Sequence, residues 1–353
     1  MKILLLIDCL DSGGAQRQMV GLAHLLQDRG CQIKVIYYHP IHFFRPYLDE
    51  HHIKNEYVAG AENKLRRLFL IAKAIRQYHP EVIISYLDVP NIIVCILKTM
   101  GMKFRLIVSE RNTSQSLNIS ERLKFYCFKK ANAIVPNSYT QERFIKAHYS
   151  NLQSRVHTIT NFVNMDVFVP KERMVHDILR ILVVGRISRQ KNTLKFLQAM
   201  HILVKEGLRF SVDWYGRPDD ISMKECNTYI IDHQLEDVFC FHAPQIDIIS
   251  KYQISDVFCL PSLYEGFPNV ICEAMSCGLP ILCGDVCDNP LIVEDGKNGF
   301  MFNPNDVEDM AYKTRMMLTL SEEERRNMGF WSRKLAKEKF SKDAFVEKYL
   351  NLL

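Results

Sequence analysis

Short runs of apolar, β-branched residues alternate with helix-forming stretches along almost the whole chain, and this alternation limits the fold more than any other feature. Residues 3–7, 32–37, 82–85, 105–108 and 133–135 read as strands, separated by helical stretches that include 15–29, 64–77 and 120–130. Such a pattern makes the strands parallel, in a sheet covered by helices on both faces. The rhythm breaks at 159–170, just before the charged stretch 171–177, and this segment reads as the link between two domains. A second series follows, with strands at 180–184, 210–215, 238–242, 257–260, 280–283 and 299–302, and helices at 193–205 and 268–277 among them. The tail, 321–353, is helical by pattern, with a fresh start capped by Ser341. The expected fold class is α/β, built from two doubly wound parallel sheets, because 353 residues are too many for one ordinary core. Ligands of such sheets bind at the carboxyl ends of the strands, so two facing halves would bind theirs in a cleft.

Composition excludes several classes. No run of about 18 apolar residues occurs, so no transmembrane helix is expected. The apolar N-terminus runs straight into Asp8 and Asp11 without a small-residue cleavage site, and reads as a first strand rather than a secretory signal. The 11 cysteines are odd in number and scattered, with no Cys-x-x-Cys, the pattern of reduced thiols in a cytoplasmic protein rather than of disulfides or zinc ligands. Residues 1–170 carry 22 Lys and Arg against 13 Asp and Glu, a net of +9, whereas residues 171–353 carry 23 against 27, a net of −4. The basic half fits an anionic partner such as a lipid headgroup, a phosphate or nucleic acid; ordinary surface charge unevenly dealt fits it too.

Three stretches bear on chemistry. In 260–280 a strand gives way to a glycine-containing loop carrying Glu265, then to a helix carrying Glu273, with Pro268 suited to the first turn and Gly278 and Pro280 to its end. Glu273 sits among Val270, Ile271, Cys272, Ala274 and Met275, so its carboxylate requires partners, whether as a structural cap or pair or as part of a site. In 183–194 a strand delivers Gly185 and Arg186, and Lys191 precedes a helix that Asn192 can cap. Cations at a helix start are disfavoured by the macrodipole, so they make sense around a bound diphosphate; two solvated surface cations are the plainer reading. Near the N-terminus, Gly13 and Gly14 open a helix, as a tight turn or as a close approach to a ligand. No acidic residue follows the second strand, which disfavours a nicotinamide cofactor. No Gly-x4-Gly-Lys-Ser/Thr loop occurs, and no Asp-x-Asp, which removes the usual metal-dependent nucleotide-sugar site.

Together, Glu265-Gly-Phe-Pro-Asn-Val-x-x-Glu273-Ala-Met-Ser-Cys-Gly-x-Pro, Gly185-Arg186-x4-Lys191, Gly13-Gly14 and Glu294-Asp-Gly296-x-x-Gly299-Phe resemble glycosyltransferase family 4, the retaining enzymes of GT-B architecture. The resemblance runs nearly end to end, and the paired-glutamate motif is its specific part. It implies two Rossmann-like domains facing a cleft: an N-terminal acceptor-binding domain over 1–168, joined by a returning helix at 338–353, and a donor-binding domain over 169–337. It also implies that Glu273 holds the ribose, Arg186 and Lys191 the diphosphate, and Glu265 the donor sugar. The amides of Gly266, Phe267 and Asn269 would help, with Val270 in the same donor site, while Gly14 would approach the phosphates beside Gly13. The pocket around 241–244 would meet the base. Gly13, and Glu110 and Arg111 after the strand at 105–108, would face the sugar or acceptor; for the last two, a turn with a surface ion pair is the alternative. Arg186, Lys191, Glu265 and Glu110 would form the catalytic set.

The expected enzyme is thus a retaining glycosyltransferase of hexosyl or N-acetylhexosaminyl type. It would move a sugar from a nucleoside diphosphate sugar, a UDP-sugar by preference, to a glycan or lipid-linked glycan in surface polysaccharide biosynthesis. The alternatives are a nucleotide-sugar 2-epimerase on the same fold and a non-catalytic nucleotide-binding protein. No cofactor, no metal and no nucleic acid are expected. The location is the cytoplasm, with the basic half peripheral to an anionic membrane. Two basic, apolar-rich stretches, 64–70 and 122–130, prompt that last expectation, although at helical spacing Leu65, Leu68, Phe69 and Ala72 read as core.

Overall fold

A computed structural model describes residues 1–61, 63–114, 116–172, 177–245 and 247–353. The chain divides into two compact units, Met1–Phe162 with Lys342–Leu353, and Val163–Ser341. The sequence-based limits, after 168 and before 338, fall a few residues away. Val163, Phe168 and Phe340 explain the shift, because all three are buried in the core of the second unit, where the Val163 N–H donates to the Phe340 carbonyl at 3.1 Å.

Unit 1 holds strands β1 (Lys2–Leu6), β2 (Gln32–Tyr37), β3 (Lys54–Tyr57), β4 (Val82–Tyr86), β5 (Arg105–Glu110) and β6 (Ala133–Pro136), all parallel, in the order β3-β2-β1-β4-β5-β6. The β3 edge strand has no apolar run to announce it. It is held by the ladder to β2 and by Lys34–Glu56 at 2.5 Å. Alternate residues of β1 enter opposite cores: Ile3 and Leu5 face one helical layer, Leu4 and Leu6 the other, and all four are fully buried. The first layer contains the helix Gly14–Asp28 and the returning helix Lys342–Leu350. The second contains the helices Lys64–Tyr78, Asp88–Thr99 and Ile119–Phe128.

The returning helix is locked by Arg111. This guanidinium is buried, lies 4.1 Å over the Tyr86 ring, and donates to Asn161 Oδ1 at 2.6 Å and to the Tyr349 hydroxyl at 2.9 Å. Tyr349 in turn shares a 3.1 Å hydrogen bond with Tyr86. Arg111 therefore points into unit 1 and ties Asn161 to the returning helix, with its Nε unpartnered among the described residues, which differs from the sugar-facing or surface placements expected of it. On the rim, Arg29 pairs with Asp343 at 2.9 Å and with Glu347.

Unit 2 holds β7 (Leu179–Val184), β8 (Phe210–Tyr215), β9 (Phe239–His242), β10 (Val257–Leu260), β11 (Ile281–Gly284) and β12 (Gly299–Phe302), again all parallel, in the order β12-β11-β10-β7-β8-β9. Counted within each unit, this is the same winding as unit 1, read from the other edge. The helix Glu322–Lys339 starts at a capping box between Ser321 and Glu324. It crosses so close to Gly278 that a Cβ on Gly329 would lie 2.2 Å from the Gly278 carbonyl oxygen. All eleven cysteines are free, and among the described residues no helix is long and apolar enough to cross a membrane.

Removing the Tyr349 ring would empty a fully buried site and strand the Arg111 donor. Tyr349→Ala should lower the unfolding free energy of unit 1 by about 3–5 kcal/mol, the usual cost of deleting a buried aromatic side chain. Chemical denaturation followed by tryptophan-independent circular dichroism measures it, and a loss under about 1 kcal/mol would show that the returning helix contributes little.

Candidate functional site

Most of the motif residues gather where the strands of unit 2 end. After β7, the Gly185 amide donates to the Tyr215 carbonyl at 3.0 Å, and the Gly185 carbonyl accepts from Trp214 Nε1 at 2.8 Å. The neighbouring turn passes so near that a Cβ on Gly216 would sit 1.8 Å from the Gly185 oxygen, so only glycine fits there. Lys191 folds back over this crossing, leaving 3.2 Å between its Cε and the place of a Cβ on Gly185. Its ammonium meets Glu265 Oε1 at 2.5 Å in a largely buried pair. Two further bonds tie the same loops together, from the Leu263 amide to the Gln190 carbonyl at 2.9 Å and from Gln190 Nε2 to the Tyr264 carbonyl at 3.1 Å. Arg186 remains exposed and donates to Gln190 Oε1 at 3.0 Å.

Asn192 does not cap the helix Thr193–Lys205 with its side chain. It takes a left-handed backbone, φ 61°, and donates from Nδ2 to the Pro304 carbonyl at 2.6 Å. The helix begins with no acidic residue in its first turn, so its positive end faces Lys191 uncompensated by a side-chain carboxylate on that turn.

The second helix of the site runs Asn269–Ser276, with Pro268 at the N-cap, one residue outside the turn it was expected to open. Glu273 is buried, and its Oε2 accepts from the Tyr252 hydroxyl at 3.0 Å. The Asn269 amide is engaged internally, donating to the Phe267 carbonyl at 3.0 Å, unlike the ligand-facing amide expected of it. Among the described residues, the amides of Gly266 and Phe267 meet no acceptor. The Phe267 ring packs on Phe340 at 5.9 Å between centroids, while Val270, in the first turn, is only partly buried. At the other end of this helix, Gly278 adopts φ 72°, and Arg333 donates to the Ser276 carbonyl at 2.6 Å and to the Phe168 carbonyl at 2.7 Å. Nearby, the 294–299 turn closes through Gly296, and at the end of β9 His242 meets Asp213 at 2.6 Å while stacking on Tyr215.

In unit 1, Gly14 begins the helix Gly14–Asp28 with Gly13 at the N-cap, no capping side chain and no acid in the first turn. Gly13 has φ −72°, open to any residue, and a Cβ there would meet only the movable end of the Gln16 side chain, so neither backbone nor space demands glycine at this position. Glu110 closes β5 and is fully buried, which rules out a surface turn. Its Oε2 lies 3.0 Å from the Lys124 ammonium and accepts from Gln141 Nε2 at 3.4 Å, whereas Oε1 has no partner among the described residues. Burial lifts the Glu110 carboxyl to about 7, against the pull of Lys124. Lys124 is held in turn by Glu121 at 2.9 Å and Asp88 at 3.5 Å.

Four residues that support these groups carry no motif: Tyr252 behind Glu273, Arg333 at the C-terminus of the Glu273 helix, and Lys124 and Gln141 beside Glu110. Lys124 lies within the basic stretch 122–130, where nothing in the spacing sets it apart from the exposed Arg122, Lys129 and Lys130. Among the described residues, no group of three or more His, Cys, Asp or Glu side chains is arranged to hold a metal ion.

The state of Glu110 sets a pH dependence. An unfolded chain ionises this carboxyl near pH 4.5, and the folded chain only near 7. The stability it contributes is therefore complete below pH 4.5 and lost as pH rises through 7. The melting temperature of the parent chain relative to Glu110→Gln should be higher at pH 5 than at pH 8, by the equivalent of at most about 3 kcal/mol. Calorimetry at the two pH values measures it, and a gap independent of pH would mean that Glu110 ionises alike in both states.

Known proteins place these features in a family. The model described as glycosyl transferases group 1 matches residues 167–334, and the model described as glycosyltransferase family 4 matches residues 12–167. A Campylobacter jejuni protein named GalNAc-alpha-(1->4)-GalNAc-alpha-(1->3)-diNAcBac-PP-undecaprenol alpha-1,4-N-acetyl-D-galactosaminyltransferase is 25% identical over 90% of this chain and 89% of its own. The amylovoran biosynthesis glycosyltransferase AmsD of Erwinia amylovora is 24% identical over 84% of each. Among solved structures, Anabaena Alr3699/HepE in complex with UDP and glucose superimposes with a TM-score of 0.87 at 19% identity, over 99% of this chain and 98% of that one. Two family models that meet at residue 167, one on each sheet, and a fold shared with GT-B structures lead to one conclusion: the chain belongs to glycosyltransferase family 4.

Proposed function

We propose that the chain is a retaining glycosyltransferase that moves a hexose or N-acetylhexosamine from a UDP-sugar to a lipid-linked glycan during assembly of a surface polysaccharide. It works without a metal ion, in the cytoplasm and against the membrane. The observation that carries this reading is the convergence in unit 2 of Lys191, Arg186 and the open amides of Gly266 and Phe267 beside the Lys191–Glu265 pair. Departure of a nucleoside diphosphate leaves negative charge on the terminal phosphate, and fixed cations and amides are what stabilise it. An ammonium has three donors, so Lys191 can keep Glu265 and still reach a phosphate oxygen. Glu265, held by Lys191, would then turn its second oxygen to a sugar hydroxyl, and Glu273, held by Tyr252, would accept from the ribose. The two glutamates serve as donor-binding groups, with attack from the face the phosphate leaves and the phosphate taking the proton.

Support for the acceptor comes from the Campylobacter relative, whose name describes a glycan on PP-undecaprenol, and for polysaccharide assembly from the amylovoran relative. Support for UDP comes from the HepE complex. The test is to incubate the chain with radiolabelled UDP-sugars and undecaprenyl diphosphate-linked glycans in excess EDTA. Label should pass to the lipid fraction. Epimerised donor without lipid label, or transfer that returns only when Mg²⁺ or Mn²⁺ is added, would overturn the respective part of the reading.

Three substitutions check the anion site and the ribose site separately. Arg186→Ala and Lys191→Ala should each lower turnover by roughly two orders of magnitude, the scale of losing one donor to developing charge, as read by initial transfer rates. Glu273→Gln should weaken UDP binding, measured calorimetrically, because a charge-assisted acceptor becomes a neutral one. Unchanged affinity would make Glu273 a structural partner of Tyr252.

A further inference from the structure

The second helical layer of unit 1 has an outer surface unlike that of an ordinary soluble helix layer. Three of its helices, Lys64–Tyr78, Asp88–Thr99 and Ile119–Phe128, turn small and branched residues inward, with Ile71, Ala72, Ile75, Val94, Leu97 and Phe125 in one core cluster. Their outward stripes are apolar too. On Lys64–Tyr78 the stripe is Leu65, Phe69, Lys73, Arg76, with Leu65 81% and Phe69 65% exposed. On Ile119–Phe128 and just beyond, it is Ile119, Leu123, Tyr126, Lys130, with Ile119 79% and Tyr126 68% exposed. On Asp88–Thr99, Val89 and Ile96 stand outward, and Met100 follows at 68% exposed. Leu65 and Phe69 are the residues whose spacing reads as core, and the structure shows them facing solvent. Three- and four-residue steps align each stripe along one side of its helix. Each of three neighbouring helices thus presents exposed apolar side chains, a row of three stripes rather than scattered single exposures.

The charge around this row is of one sign. The helix Lys64–Tyr78 carries Lys64, Arg66, Arg67, Lys73 and Arg76 and no acid. The acids of the other two helices, Asp88 and Glu121, are both occupied by the buried Lys124. Lys129 and Lys130 stand exposed at the end of the third helix. Between the C-terminal ends of the first two helices, an open cleft of about 400 Å³ is lined by Arg76, His79 and Lys103 with Met100 and Phe104, and by no acid.

We propose that this three-helix face docks unit 1 onto an anionic phospholipid bilayer, its apolar row entering the acyl boundary and its cations meeting headgroup phosphates. Apolar burial and lipid charge act together in such binding, as for interfacial helices elsewhere. The cleft gives one headgroup a seat between Arg76 and Lys103. The proposal deepens the membrane reading above, on which its biological purpose rests, by assigning the surface that makes the contact.

Co-sedimentation with vesicles of equimolar phosphatidylglycerol and phosphatidylcholine, against vesicles of phosphatidylcholine alone, tests it. The parent chain should pellet with the anionic vesicles at about 0.1 M salt and be released at about 1 M, where the screening length falls from about 10 Å to about 3 Å. Phe69→Ser/Leu123→Ser should weaken binding roughly tenfold or more, and Lys73→Glu/Arg76→Glu by a similar factor. Ile221→Ser/Ile231→Ser, which alters exposed residues of unit 2, should leave it unchanged. All the substituted residues are exposed, so circular dichroism melts should match the parent. Equal pelleting with both vesicles at low salt, or stripe variants that pellet like the parent, would overturn the proposal. So would sedimentation velocity showing a dimer that the stripe variants dissociate, since the face would then belong to a second copy. UDP affinity, measured on the same variants, should stay at the parent value. Loss of vesicle binding with UDP affinity intact confines the variants' effect to docking, whereas a parent chain that docks but binds no UDP leaves docking standing and removes the donor assignment.

Discussion

Parallel strands cannot leave a face to water, because the crossover helices that join them must lie on the sheet, and both units are shaped by that constraint. It sends alternate residues of β1 into two different cores and gives the central strands helical cover on each side. It also delivers every strand-to-helix loop to the same edge of its sheet. In unit 2, that edge receives the loops after β7 and β10, adjacent strands although 70 residues of chain and more separate them. Lys191 and Glu265 meet because their strands are neighbours, and the Gly185–Gly216 crossing gives them room.

Each charged group of the site is held by a neutral or opposite partner that restricts its motion. Glu273 is approached by a tyrosine hydroxyl, Glu265 by an ammonium, and Arg186 by a glutamine amide. The Glu273 helix is itself fixed at its C-terminus by Arg333, a cation placed where the helix dipole favours one. Glu110 too has an opposite partner in Lys124, but among the described residues its second oxygen has none, in a buried position and with a raised pKa. Such a group is costly to keep, and its surroundings of Lys124, Gln141 and the second-layer helix bind it to the same element that carries the apolar row.

The alternation of strand and helix was legible because buried parallel strands must be apolar on both sides, and eleven of the sheet segments carry that mark plainly. The β3 strand does not: it is an edge strand stabilised by pairing and a cross-strand ion pair, and Lys54-Asn55-Glu56-Tyr57 has no apolar rhythm to read. The paired glutamates were legible for a similar reason, as carboxylates in apolar settings are rare. Their supporting residues were not, because Tyr252 and Arg333 come from distant parts of the chain and look like any helical residue. The inward turn of Arg111 depends on Tyr349, more than two hundred residues away, so nothing local to Ser109–Asn112 announces it. The outward turn of Leu65 and Phe69 escaped helical spacing, since a helix apolar on two sides offers two equally periodic faces.

The returning helix puts an order on the making of the molecule. The sheet of unit 1 leaves the ribosome first, but Phe345, Val346 and Tyr349, which cover part of its core, emerge only after the whole of unit 2. During that interval Arg111 and Tyr86 await a partner, and the first layer lacks one of its helices. Unit 2, whose residues are contiguous, can complete its own core as soon as it has been synthesised. The earlier half of the chain therefore keeps part of its core uncovered until residues made after the whole of its neighbour arrive.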